Sequence, residues 1–111
     1  MARILVVEDD LDQLGIRRQI LENAGYEVVT AQNTVEALER LPGCGLVVTD
    51  LRIPEPEDGR RLIEAVSGRA GLIVLSGAPP DETLPVDEFL VKPCPSKRLL
   101  EAIAKWTSES K

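Results

Sequence analysis

Histidine is absent from the 111 residues, and cysteine is limited to Cys44 and Cys94, in no CxxC spacing. The first absence excludes any reaction that needs an imidazole base or a phosphohistidine carried by this chain. The two together exclude a zinc site unless carboxylates supply it. Two such thiols read as buried, reduced side chains. Long apolar runs are also lacking, and Met1–Val7 leads straight into acids without the length or charged flank of a signal peptide. A cytoplasmic protein with no membrane insertion is expected. Lys and Arg are scattered, and the net charge is -6. A surface for the nucleic-acid backbone is therefore not expected, and direct nucleic-acid binding is excluded from the reading. Any chemistry has to run on carboxylates, hydroxyls and amines.

What is present fits one domain, 1–111, with one core, since hydrophobic residues make up 43% of the chain. The apolar runs Ile4–Val7, Val28–Val29, Leu46–Val48 and Leu72–Leu75 are too short for helices and rich in β-branched residues, so they predict strands, with Phe89–Val91 as a fifth. The runs at Ile4, Leu46 and Leu72 are continuous, the pattern of strands covered on both faces. A parallel sheet in an α/β layer structure follows. Helical periodicity links Ile16, Ile20, Leu21 and Ala24; then Val35, Leu38 and Leu41; then Leu62, Ile63 and Val66; and finally Leu99, Leu100, Ile103 and Trp106. Asp10 or Asp12 suits the first N-cap and Asn33 or Thr34 the second, while Gly25 and Pro42-Gly43 suit the corresponding helix ends. Between Gly77 and Asp87, Pro79, Pro80 and Pro85 leave room for one helical turn at most. The polar tail Thr107–Lys111 reads as a frayed end.

Ligands of open α/β sheets bind beyond the carboxyl ends of the strands. The residues there are Glu8, Asp9 and Asp10 after the first strand, Asp50 after the third, Ser76 after the fourth and Lys92 after the fifth. In a sheet ordered 2-1-3-4-5 these groups converge on one rim. Each alone has an ordinary explanation, an acid as a helix cap or a lysine as a solvated charge. Capping does not call for the whole set. Crowded carboxylates repel one another, and a hard divalent cation with oxygen ligands relieves the repulsion, Mg2+ fitting best. A metal also screens an attacking carboxylate from an incoming phosphoryl group, while an ammonium and a hydroxyl take up charge on the phosphoryl oxygens. Such a site suits the formation of an aspartyl phosphate.

The segments Ile4-Leu5-Val6-Val7-Glu8-Asp9-Asp10, Val47-Val48-Thr49-Asp50-Leu51-Arg52-Ile53-Pro54, Val74-Leu75-Ser76-Gly77 and Phe89-Leu90-Val91-Lys92-Pro93 resemble, in this order, the receiver domain of two-component response regulators. The resemblance covers nearly the whole chain. It implies a flavodoxin-like five-stranded parallel sheet of order 2-1-3-4-5. Asp50 is implied as phosphoacceptor, Asp9 as direct Mg2+ ligand, Glu8 as its partner through metal-bound water, and the Arg52 carbonyl as a backbone ligand. Ser76 and Lys92 correspond to the hydroxyl and ammonium that contact the phosphoryl group, Lys92–Pro93 to a bond that is usually cis, and Phe89 to a rotating aromatic switch. Phe89 also reads as an ordinary core phenylalanine.

The chain departs from the family at Phe89, which lacks the phenol hydroxyl of many relatives so that any switch there would be one of packing, and in two segments. It is several residues short between Ser76 and Lys92, which implies a shortened or missing fourth helix. The loop Pro54–Gly59 is one residue long for the pattern and acidic, with Glu55, Glu57 and Asp58. The implied partners are a sensor histidine kinase or a histidine phosphotransfer protein, for a stand-alone regulator or a piece of a hybrid kinase. The oligomeric state is left open. The competing reading is an interaction module on a receiver fold that works without phosphorylation. A true enzyme is disfavoured: Arg52 stands where aspartyl-phosphate phosphatases place a second acid, and no flavin-flanking aromatics or phosphate-cradling glycine loop is present. The chain is expected to catalyse its own phosphorylation and dephosphorylation alone.

Overall fold

A computed structural model describes residues 3–51, 56–77 and 85–107. The elements run β1 (Arg3–Val7), α1 (Leu11–Asn23), β2 (Glu27–Ala31), α2 (Thr34–Arg40), β3 (Leu46–Asp50), α3 (Pro56–Val66), β4 (Gly71–Ser76), β5 (Glu88–Val91) and α4 (Ser96–Thr107). The strands form one parallel sheet in the order β2-β1-β3-β4-β5. This is the predicted doubly wound architecture.

Side chains alternate across a strand, and the core divides accordingly. Ile4, Val6, Leu46, Val48, Ile73 and Leu75 face Leu14 and Leu21 of α1 and Leu99, Ala102 and Ile103 of α4. Leu5, Val7, Val47, Leu72 and Val74 face Ala37 of α2 and Leu62, Ile63 and Val66 of α3. Covering both faces in this way is what makes β1, β3 and β4 apolar at nearly every position.

Asp10 caps α1 by accepting from the backbone N–H groups of Asp12 and Gln13, and Asn33 caps α2 by accepting from Glu36. Gly25, at φ 100, follows the last turn of α1, a conformation that glycine adopts without strain. Three expectations are corrected. Ile16 and Val35, counted above in the apolar periodicity of their helices, are 53% and 68% exposed, because α1 turns Leu14, Arg17 and Leu21 inward and α2 turns Thr34 and Ala37. The Pro54–Gly59 segment is not all loop, since α3 begins at Pro56. Gly59 there passes so close to Leu51 that a Cβ would lie 1.7 Å from the Leu51 carbonyl oxygen, so glycine alone fits. Cys94 is half-buried, while Cys44 is buried as expected, and both thiols are free. Among the described residues no helix lies between β4 and β5, and the connecting residues 78–84 fall outside them.

Candidate functional site

The register of the central strands sets the site. Val7 of β1 lies beside Thr49 of β3, so the next residues, Glu8 and Asp50, leave the sheet as neighbours. Asp50 lies beside Leu75 of β4, Ser76 beside Val91 of β5, and the Lys92 backbone N–H donates to the Ser76 carbonyl at 2.8 Å. Consecutive strand ends therefore carry an acid, an acid, a hydroxyl and an amine in one row. The Lys92–Pro93 bond is cis, as the motif implied.

Asp50 is buried, at 3% exposure, and Glu8 at 4%. The two carboxyls share a hydrogen bond. Lys92 Nζ stands 3.0 Å from Asp50 Oδ1. Arg17, on the inward face of α1, places Nη1 2.9 Å from Glu8 Oε1 and 3.4 Å from Asp50 Oδ1. Burial and the hydrogen bond with Asp50 push Glu8 up to about 8, with the Asp50 charge adding to the effect. Burial would raise Asp50 too, but the Glu8 hydrogen bond, the Arg17 guanidinium and the Lys92 ammonium outweigh it and hold Asp50 below the ordinary carboxylate range. The two acids are thus shifted in opposite directions, Asp50 being the one held ionised. An ionised, dehydrated carboxylate with an ammonium next to it is a poised nucleophile.

Of the residues named from sequence, Glu8, Asp50, Lys92 and Ser76 come together at the rim. Asp10 is committed to capping α1 and receives no metal role. Asp9 is exposed at the same strand end. Among the described residues no three carboxylates or thiols stand close enough to hold an ion, so the pair Glu8 and Asp50 is gathered and Asp9 is not. Arg52 lies outside the described residues. Phe89 is half-buried and packs against the core on the α2 and α3 side.

A scan against protein families matches residues 4–104 to the response regulator receiver domain. The chain belongs to the response-regulator receiver family. This receiver is similar to the chemotaxis protein CheY of Bacillus subtilis, 32% identical over 93% of this chain and 95% of that one. It is also similar to the two-component response regulator ARR11 of Arabidopsis thaliana, 34% identical over 87% of this chain but 21% of that protein, so it spans about a fifth of that longer relative. Among solved structures, the response regulator TrrA of Thermotoga maritima in complex with Mg2+-BeF matches with a TM-score of 0.84 at 28% identity, covering 96% of this receiver and 99% of that chain.

Arg17 is the site residue that sequence reasoning missed. It sits three residues after Leu14 and four before Leu21, at the spacing of one helix face. A charge at that point of a buried stripe, facing a strand end that carries acids, was the available signal. The exposed Ile16 beside it carried the apolar pattern instead.

The receiver's residues fit a hard cation. The acidic groups at the rim offer only oxygen ligands, Asp9 follows Glu8 at the same strand end, and Asp50 Oδ1 is buried without an aligned hydrogen-bond donor although Lys92 and Arg17 stand near it.

Proposed function

We propose that Asp50 accepts a phosphoryl group from a phosphohistidine on another protein, a sensor histidine kinase or a histidine phosphotransfer protein, in the cytoplasm. The observation that carries the reading is the buried Asp50 carboxylate, held ionised at the end of β3 with Lys92 Nζ 3.0 Å away. In the transfer the donor's N–P bond breaks as an Asp50 O–P bond forms, and the donor keeps the electron pair of the broken bond. Lys92 is already at the acceptor oxygen and takes up charge on the incoming phosphoryl oxygens. Ser76, at the end of the adjacent strand, is suited to hydrogen-bond them.

Asp9 and Asp50 directly, Glu8 through water and the Arg52 carbonyl would hold Mg2+, which when bound screens the negative charge between acceptor and phosphoryl group. Burial of Asp50 keeps bulk water from competing for the same oxygens. No external substrate is turned over in this reading. The signal leaves by contact with a partner or by onward transfer.

The test is to treat the protein with acetyl phosphate and Mg2+ and to record its intact mass. A single phosphoryl adduct, lost on chelation and labile to hydroxylamine as an acyl phosphate is, supports the proposal. No adduct, with folded protein and Mg2+ present, overturns it in favour of an interaction module that works without phosphorylation.

A further inference from the structure

Arg17 is a fully charged side chain with 10% of its surface exposed, held between the two buried carboxyls of the site. Burying a guanidinium is costly unless opposite charge compensates it, and Glu8 and Asp50 supply that compensation. Lys92, the other cation at Asp50, differs in having 41% of its side chain exposed. An ammonium half in water can leave the carboxylate and be resolvated at little cost, whereas Arg17 is fixed from below by α1, with Leu14 and Leu21 on the same inward face. The guanidinium nevertheless has somewhere to go. Arg17 is among the residues lining an open groove of about 630 Å3, with Gln13, Ile16, Lys92, Pro93 and Leu99.

From this geometry we infer that Arg17 is a resident counter-cation on Glu8 and Asp50 that Mg2+ has to displace, so that this receiver sets a raised metal threshold for its own activation. The inference rests on the proposed Mg2+-dependent role of the site. Two cations that neutralise the same carboxylates oppose each other's binding by mutual repulsion, and the charge that one has compensated is less attractive to the other. With Arg17 in place, the protein without metal is already compensated and gains less from Mg2+. Without Arg17, the same carboxylates have Mg2+ as their main means of relief.

The experiment titrates Mg2+ alone into the full chain by calorimetry, without any phosphodonor, for the wild type and for Arg17→Met, Arg17→Gln and Arg17→Lys. Arg17→Met is expected to bind Mg2+ about tenfold more tightly than wild type. Arg17→Gln, which keeps a donor for Glu8 without the charge, should shift the same way and serves if the methionine variant folds poorly. Arg17→Lys should restore an affinity near wild type, and the tighter binding in the neutral variants is an outcome that a merely structural role for Arg17 would not produce. Unchanged or weaker Mg2+ binding in the folded neutral variants, with the wild type binding normally, overturns the inference and leaves the phosphoacceptor reading standing. Absence of Mg2+ binding in every variant and in the wild type overturns both.

Discussion

Two charge clusters lie at opposite ends of the sheet, and they are built to different ends. At the start of β5, Glu88 accepts from Trp106 Nε1 at 2.9 Å and Arg98 Nη2 at 3.0 Å, with Lys105 Nζ at 3.7 Å. One carboxylate there has three partners, and the Trp106 hydrogen bond above all, with Arg98 and Lys105 against the opposing effect of burial, holds it below its ordinary range. That cluster ties α4 to the edge strand and leaves nothing unsatisfied at the carboxylate. At the other end, two carboxyls share two cations, Glu8 is pushed up to about 8, and Asp50 Oδ1 is left without an aligned donor. The cluster at Glu88 satisfies its acceptors, whereas the one at Asp50 keeps a buried acceptor open for a ligand.

That contrast is open to a series of substitutions. The largest effect is expected from Asp50→Asn, which removes the nucleophile and should abolish the acetyl-phosphate adduct in the intact mass while leaving the protein folded. Lys92→Ala removes the ammonium at Asp50 and should slow adduct formation about a hundredfold, read from the time course of the mass shift. A fall of less than threefold would remove Lys92 from the chemistry. Arg17→Met, in chelator, should lower unfolding stability by about 2 kcal/mol in a urea titration, less than the full cost of an orphaned buried charge because Glu8 can hold a proton instead. The smallest effect falls on the other cluster. Glu88→Gln should cost about 1 kcal/mol at neutral pH and leave phosphorylation untouched.

The pH dependence of that last pair separates the two ends further. The folded-state pKa of Glu88 is depressed, so its contribution is present above the ordinary value of 4.5 and is lost as pH falls through the folded value. The difference in Tm between wild type and Glu88→Gln should therefore be full at pH 7 and shrink below about pH 4.5. A difference that stays constant down to pH 3 would show that Glu88 acts by packing and not by charge.

The fold was largely legible because continuous β-branched runs, helix caps and proline breaks each act locally, and they agreed with one another from Ile4 to Trp106. The site was legible to the extent that it follows from strand ends: Glu8, Asp50, Ser76 and Lys92 are where a 2-1-3-4-5 sheet brings them. Two things did not follow from the pattern. Arg17 faces inward because its charge is compensated by groups on other elements, and the periodicity of α1 taken alone ranks Ile16 and Ile20 as the buried face. The helical start of α3 at Pro56 was hidden by its acids and Gly59, residues that read as loop until the close approach of Gly59 to the Leu51 carbonyl explains the glycine.

The open acceptor at Asp50 Oδ1, beside Glu8, is proposed as the place for Mg2+ and a phosphoryl group. The most direct measurement is a titration with fluoroberyllate and Mg2+, followed through the backbone amide resonances of the whole chain. Saturable shifts are expected, centred on Glu8, Asp50, Ser76 and Lys92, that vanish when Mg2+ is chelated, with the residues around Glu88 and Trp106 moving least. Shifts that are absent at saturating ligand, or that centre on Glu88 and α4, would contradict that proposal.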